Sequence, residues 1–302
     1  MKAVVLHEYG GPEVLKYEDV ADPVAGEGEL LVRLSATSVN PIDYKMRSGV
    51  AKDHFPVTFP GILGRDIAGV VREVGPGVEG FEPGDKVIAL GKRSYAELVV
   101  VKAQDAAKVP DGLDVVEAAA LPLVTLTGEQ LVTRGTAIQK GQTILISGAV
   151  GSVGRSAVWT AKKAGATVIA GVKKRQLKEA QELGADEVIA LDDTSAMEKL
   201  GFVDAVADTV GGKTAEMLLG KVKQGGVFGS VLGPPANAKM HPTVQVTPVM
   251  AVPDAATLRA LAEDVVAKRF VIPIDRMVPL NEAGAGQAAA EKGGIGKVLL
   301  LA

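Results

Sequence analysis

The sequence predicts an α/β protein in two parts: a β-rich first part, followed by a doubly wound parallel sheet. Three observations carry this. Short β-branched or alternating runs, separated by Gly/Pro turns, fill the first third of the chain. From about Glu117 onward, apolar strands alternate with helical stretches. A glycine-rich loop stands where one of those strands gives way to a helix.

The first part begins with strands over Met1–Leu6, Val14–Val20 and Leu30–Thr37, divided by Gly10-Gly11-Pro12 and Asp22-Pro23. Ile67–Val74, Lys86–Leu90 and Tyr95–Val101 continue the pattern, broken by Gly75-Pro76-Gly77 and Pro83-Gly84-Asp85. Gly and Pro at such breaks set the backbone angles of tight turns, and many short strands joined this way make a barrel-like or sandwich unit. In the second part, strands are expected at Thr143–Ser147, Thr167–Gly171, Glu187–Ala190, Val203–Asp208 and Val227–Val231. Helices are expected between them at Val153–Ala164, Gln176–Leu183 and Lys213–Val222. A strand that returns through a helix lies parallel to its predecessor, by a right-handed crossover. A helix over Asp254–Lys268, a short helix near Asn281–Glu291 and a strand at Lys297–Leu301 complete the chain.

Composition excludes several classes of function. A net charge of −3 supplies no basic field for nucleic acid or an anionic membrane. Cysteine is absent, which rules out disulfides and thiolate-bound metal. No apolar run reaches the length of a membrane span, and Met1–Glu8 turns polar too early for a signal peptide, so the cytoplasm is the expected compartment.

Ser147-Gly148-Ala149-Val150-Gly151-Ser152-Val153-Gly154 has the strand-before, helix-after context that a dinucleotide fingerprint requires. Gly151 is expected to let the backbone approach a pyrophosphate, and Gly154 to let the helix pack closely on the strand. The helix start offers free N–H groups to phosphate oxygens. Ala149 stands where the commonest fingerprint has glycine. The end of the second strand distinguishes the two dinucleotides. An NAD site places a carboxylate there for the ribose 2′-hydroxyl. This chain has Lys173-Lys174-Arg175, and no carboxylate before Glu179. Three cations at a helix start oppose the helix dipole and attract a 2′-phosphate, so NADPH is the expected cofactor.

Further segments resemble the medium-chain dehydrogenase/reductase superfamily, in its zinc-free quinone oxidoreductase and enone reductase branch. They are Val39-Asn40-Pro41-Ile42-Asp43-Tyr44-Lys45-Met46-Arg47-Ser48-Gly49, Pro60 through Val71, Gly84-Asp85-Lys86-Val87, Tyr95-Ala96-Glu97, Leu121-Pro122 with Thr127, Asp208-Thr209-Val210-Gly211-Gly212, and Gly296-Lys297-Val298-Leu299. The resemblance implies a GroES-like β-rich catalytic domain, residues 1–117 and 265–302, around a Rossmann NADPH-binding domain, residues 118–264. It implies a homodimer joined through sheet edges, with Thr243–Val252 as the edge strand. Where zinc-dependent relatives carry ligands, this chain reads Asn40-Pro41-Ile42-Asp43 and Gly64-Arg65-Asp66, so no metal is expected.

By the same resemblance, Asn40 lies beside nicotinamide and acceptor, where its amide donates to a carbonyl; Asn-Pro also suits it as a helix cap. Lys45 would stabilise an enolate oxygen or protonate it, with Tyr44 as the neighbouring donor. Thr127, Phe228, Leu232 and Lys297 join the glycine loop and Lys173–Arg175 as expected cofactor contacts. The expected activity is hydride transfer from NADPH to a quinone or an α,β-unsaturated carbonyl (enone). The alternative is a non-catalytic NADPH-binding redox sensor or interaction protein on the same fold.

Overall fold

Alternation in the first third resolves into eight strands: β1 (Lys2–Leu6), β2 (Leu15–Asp19), β3 (Glu29–Ser38), β4 (Gly61–Ile62), β5 (Asp66–Val74), β6 (Lys86–Leu90), β7 (Leu98–Lys102) and β8 (Ala106–Lys108). Helix α1 (Pro41–Arg47) stands between β3 and β4. The computed structural model describes residues 1–294 and 296–302. Two units emerge: Met1–Leu123 with Val252–Lys268 and Ile272–Ala302, and Val124–Ala251 with Arg269–Val271.

In the first unit β1 is the centre of a three-stranded sheet, between β2 and β4. The larger sheet is organised by β3, which pairs antiparallel with β5 along one side. On its other side the N-terminal half takes β7 and the C-terminal half takes the chain's last strand. Leu30, Val32 and Leu34 point to one face of β3 and meet Ile67, Val71, Val87, Ala89, Val99 and Val101, and this cluster is the unit's main core. Tyr95, expected inside a strand, lies ahead of β7; Ala96 makes only an isolated bridge to Ala3.

The second unit follows α2 (Val115–Ala118) and opens within α3 (Pro122–Gln130), which continues as a π-helical turn over Leu131–Thr136. It then alternates β9 (Thr143–Ser147), α4 (Ser152–Lys163), β10 (Thr167–Val172), α5 (Leu177–Gln181), β11 (Glu187–Ala190), α6 (Thr194–Lys199), β12 (Val203–Asp208), α7 (Gly212–Leu219), β13 (Val222–Ser230) and β14 (Gln245–Pro248). All six strands are parallel, in the order β11-β10-β9-β12-β13-β14. The segment Thr243–Val252 thus contributes an edge strand, of four residues. Consecutive residues of β9 serve opposite faces: Ile144 and Ile146 pack with Ala157, Val158 and Ala161 of α4, and Leu145 packs with Leu218 and Leu219 of α7. Burial on both faces explains the unbroken apolar run in the sequence.

The chain ends in the first unit with α8 (Ala255–Val266), β15 (Ile274–Pro279), α9 (Ala283–Lys292) and β16 (Lys297–Leu301). Helix α8, expected in the nucleotide unit, instead groups with the first. The reason is local: Arg259 on α8 donates through Nη1 to the Lys108 carbonyl on β8 at 2.9 Å. Two boundaries also move. Helix α7 stops at Leu219 because Gly220 follows it, and Val222 pairs with Val203 as strand. Helix α6 is an addition, started by Asp193, whose carboxylate accepts from Ala196 N at 3.1 Å.

One expected cofactor contact is corrected here. Phe228 points into the core formed with Leu145, Val206 and Leu218 and is 0 % exposed, because strand alternation turns it inward. Its contribution is to packing. Phe228→Ala is expected to cost about 3–5 kcal/mol of stability in urea unfolding; a loss below about 1 kcal/mol would contradict the assignment.

Candidate active site

In the second unit the glycine loop spans the step from β9 to α4. Gly148 has φ 67°, a left-handed conformation that costs glycine nothing. A Cβ on Gly148 would stand 2.5 Å from Thr209 Oγ1, so the loop also lies close against the turn after β12. A Cβ on Gly154 would stand 2.2 Å from the Gly148 carbonyl, so the first turn of α4 packs tightly on the loop, as the motif predicts. Ala149 is fully buried among Ile146, Ala157 and Val172, which explains why a methyl is tolerated: it faces the core and leaves only backbone to a ligand. Gly151 caps α4, and Val150, Ser152 and Val153 are partly exposed around the helix start.

The Lys173-Lys174-Arg175 segment follows β10, all three side chains exposed. Lys174 and Arg175 lie in a 3-10 turn that precedes α5. Its carboxylate surroundings were not foreseen. Lys174 N donates to Asp192 Oδ1 at 2.7 Å and its Nζ lies 3.5 Å from Asp193 Oδ2. Glu179, the first carboxylate after the segment, is occupied by Arg155. Lys173 and Arg175 form no ion pair or side-chain hydrogen bond among the described residues, which leaves two uncommitted cations. Thr127 is half-buried on α3, and Leu232, on the turn after β13, is 48 % exposed.

In the first unit α1 is held at both ends. Asp43 Oδ2 accepts from the Asn40 backbone N–H at 2.8 Å and from Tyr95 Oη–H at 3.2 Å. At the other end, Arg47, 2 % exposed, donates to the Gly10 carbonyl (3.2 Å), Gln287 Oε1 (2.8 Å) and Glu291 Oε2 (3.0 Å). Between these anchors Tyr44 and Lys45 are partly exposed, and their polar ends make no hydrogen bond or ion pair among the described residues. Burial pushes the Tyr44 hydroxyl pKa up, helped by the negative charges of Glu291 and Asp43, so it keeps its proton at neutral pH.

Asn40 differs from its expected role. It is 1 % exposed, and its amide is fully used: Nδ2 donates to Asp66 Oδ2 (2.7 Å) and the Ser38 carbonyl (3.3 Å), and Oδ1 accepts from Lys297 Nζ (2.7 Å). It does not cap α1 with its side chain either. Lys297, expected at the cofactor, is turned inward by the same bond. Its Nζ also donates to the Val39 carbonyl at 3.0 Å and lies 3.8 Å from Asp66 Oδ2. The physical reason is charge pairing: a buried ammonium takes the nearest oxygens and counter-charge. Asp66 Oδ1 is filled by Leu123 N–H at 2.7 Å, and Ser38 Oγ–H donates to Oδ2. Sequence reasoning left Asp43, Asp66, Tyr95 and Arg47 without site roles. A charged residue inside an apolar strand pattern was the available signal, and Asp66 at the head of Ile67–Val71 shows it.

Asp43 is the unbalanced member. It is fully buried, with Oδ1 unpartnered. Its carboxyl pKa is raised from 3.8 to about 7, first by burial and further by the charge of Asp66, against the Asn40 N–H, Lys297 and Tyr95, which pull it down. Among the described residues no group of three or more His, Cys, Asp or Glu side chains is arranged to hold a metal ion, and no helix is long and apolar enough to cross a membrane.

Residues 26–111 match the family described as alcohol dehydrogenase GroES-like domain, and residues 183–300 match zinc-binding dehydrogenase. A chloroplast envelope quinone oxidoreductase homolog of Arabidopsis thaliana is 38% identical over 199 residues, which span 63% of this chain and only 60% of that protein's length. An alcohol dehydrogenase superfamily protein from Novosphingobium aromaticivorans is 30% identical, with a TM-score of 0.87 over 100% of this chain and 99% of that one. The Escherichia coli quinone oxidoreductase, solved as a complex with NADPH, is 26% identical, with a TM-score of 0.87 over 100% of both chains.

The Asp43 site generates a pH test. Its folded pKa lies above the unfolded value, so the folded state holds a proton that the unfolded chain has released. The stability this contributes is complete below about pH 4 and is lost as pH rises to about 7. Across that window the loss amounts to about 4 kcal/mol. Asp43→Asn keeps an acceptor for Asn40 N–H and Tyr95 Oη–H without the charge. It is expected to gain stability relative to the wild-type protein as pH rises from 4 to 7 in thermal unfolding. Parallel curves for the two proteins would refute the raised pKa.

Proposed function

The chain belongs to the medium-chain dehydrogenase/reductase superfamily, and on that premise we propose that it is an NADPH-dependent oxidoreductase acting, without zinc, on a quinone or an α,β-unsaturated carbonyl. The observation that carries this reading is the second unit's ligand edge. There a glycine loop opens α4 after β9, and the uncommitted cations Lys173 and Arg175 follow the neighbouring strand β10. Ligands of open parallel sheets bind at the carboxyl ends of the strands, and both features lie at such ends.

In this reading the N–H groups at the start of α4 and the backbone of residues 148–151 hold the pyrophosphate, while Lys173 and Arg175 hold the 2′-phosphate. Bound NADPH would supply the hydride. What remains for the protein is orientation and charge stabilisation at the acceptor oxygen. Lys45 is assigned to the developing negative charge on that oxygen. Tyr44, whose hydroxyl keeps its proton, is assigned to proton donation. Asn40 is assigned a positioning role, since its amide is occupied by Lys297 and Asp66. The donor set supports zinc-independence: Asn40 and Asp66 are committed to each other and to the Lys297 ammonium, Asp43 accepts from the Asn40 N–H, and there is no thiolate. By family expectation the protein is a homodimer.

The commitment of Asn40 favours a second reading, an NADPH-binding sensor that does not turn over. Loss of NADPH absorbance with a panel of quinones and enones separates the two: oxidation is expected, and tight binding with no oxidation by any acceptor would select the sensor. Lys45→Met or Tyr44→Phe is expected to lower kcat by about a hundredfold or more in steady-state assays, with little change in NADPH affinity. Unchanged kcat in both would remove them from the chemistry. Replacing Lys173 and Arg175 with Ala is expected to weaken NADPH by about tenfold or more while NADH affinity holds within about twofold. Equal losses for both nucleotides would sink the 2′-phosphate assignment.

A further inference from the structure

One fully buried side chain joins the carboxyl ends of β9, β12 and β13: Asp208, to which the reading above gives no role. Its Oδ1 accepts from Ser147 Oγ–H (2.8 Å), Val210 N–H (3.1 Å) and Gly211 N–H (3.1 Å), and its Oδ2 accepts from Ser230 Oγ–H (2.8 Å). The two serine oxygens extend the reach. Ser147 Oγ accepts from Thr209 N–H and Ser230 Oγ from Leu232 N–H, each at 3.0 Å. Thr209 Oγ1–H returns to the Ser147 carbonyl at 2.7 Å.

Backbone pairing accomplishes only part of this. The β12–β9 ladder ends at Ala207 with Ile146, and the β12–β13 ladder ends at Asp208 with Ser230. Past those points the backbone adds only a bond from Val231 N–H to the Asp208 carbonyl at 3.1 Å and, for the glycine loop, one from Ala149 N–H to the Gly171 carbonyl at 3.2 Å; neither joins the loop to the two turns. Ser147 is the last residue before the glycine loop, and Ser230 the last before the turn that carries Leu232. The turns also touch each other. A Cβ on Gly148 would meet Thr209, and one on Gly211 would stand 2.8 Å from Leu232 Cδ1. A displaced turn therefore displaces its neighbours. At this edge Val210 (45 %) and Leu232 (48 %) are left exposed, an apolar pair held outward by backbone N–H groups tied to the network. Exposed apolar side chains fixed beside a phosphate-binding loop fit an aromatic or sugar surface packed on them.

We infer that Asp208 is a positioning residue for the dinucleotide: its carboxylate locks the glycine loop, the turn at residues 209–212 and the turn at residues 231–233 into one preorganised edge. The inference rests on the dinucleotide reading above. It predicts that affinity for a ligand spanning this edge depends on Asp208, whereas affinity for the 2′-phosphate end alone does not. A shift of about 1 Å in such a loop is enough to cost tenfold or more.

The test uses calorimetric titration of the full chain with NADPH and, separately, with adenosine 2′-monophosphate, which has no pyrophosphate. Asp208→Ala is expected to weaken NADPH by about tenfold or more while adenosine 2′-monophosphate holds within about twofold. Asp208→Asn keeps an acceptor for Val210 and Gly211 and is expected to recover most of the affinity. Ser230→Ala cuts only the third arm and is expected to fall between the two; it carries the test if Asp208→Ala does not fold. Unchanged NADPH affinity in Asp208→Ala and Ser230→Ala overturns the inference alone, as does equal weakening of both ligands, which marks a general structural lesion. A wild-type protein that fails to bind NADPH overturns both this inference and the cofactor assignment.

Discussion

A buried ammonium sets the terms for the first unit. Lys297 is 5 % exposed, and a cation out of water needs oxygens and a counter-charge within reach. It finds the Val39 carbonyl and Asn40 Oδ1, with Asp66 nearby, at positions more than two hundred residues earlier in the chain. Pairing of β16 with the end of β3 brings them together, Leu299 opposite Ser38. Several features then follow. Asn40 is occupied and does not cap α1; Asp43 takes over that end of the helix through its bond to the Asn40 N–H; and Asp66 is fixed at the head of β5. Such a triad is weak as a source of stability, but removal of any member strands a buried polar group. Its value is geometric, because it fixes the start of the helix that carries Tyr44 and Lys45.

Three buried aspartates show how differently a fold can treat the same side chain. Asp208 receives four direct donors, two of them backbone N–H groups. Asp66 receives three and has an ammonium nearby. Asp43 receives two, both on one oxygen, and burial pushes its carboxyl up to about 7. For Asp43, burial sets the rise, and the Asn40 N–H and Tyr95 Oη–H on its Oδ2 offset only part of it.

Most of the fold was legible because its signals were local. Thr143–Ser147, Lys86–Leu90 and Lys297–Leu301 are strands with the expected bounds, since a glycine marks one end of each run: Gly148, Gly91 and Gly296. The glycine loop was legible for the same reason. What escaped depends on partners distant in sequence. Lys297 and Phe228 stand in segments that resemble cofactor contacts, yet one turns to Asn40 and the other into the sheet. Asp192 and Asp193 follow β11, a strand later than the cations they face, and only the parallel pairing of β10 with β11 places them there. The position of helix α8 in the chain points to the nucleotide unit, but its bond from Arg259 to β8 groups it with the first.

The two units therefore divide the requirements of the proposed chemistry unequally. The second unit's ligand edge is preorganised: buried Asp208 holds its turns, Ala149 fills the core beneath the glycine loop, and Gly154 lets α4 seat against it. Little has to be ordered when a dinucleotide arrives, so binding energy is not spent on loop fixing. In the first unit Tyr44 and Lys45, the groups proposed to act on the acceptor, are anchored through their helix and left uncommitted at their tips among the described residues. Side chains held at the backbone but free at the polar end can adapt to acceptors whose oxygens lie in different places. Quinones and enones differ in this respect, so under the proposed function the free tips of Tyr44 and Lys45 would suit either class of acceptor.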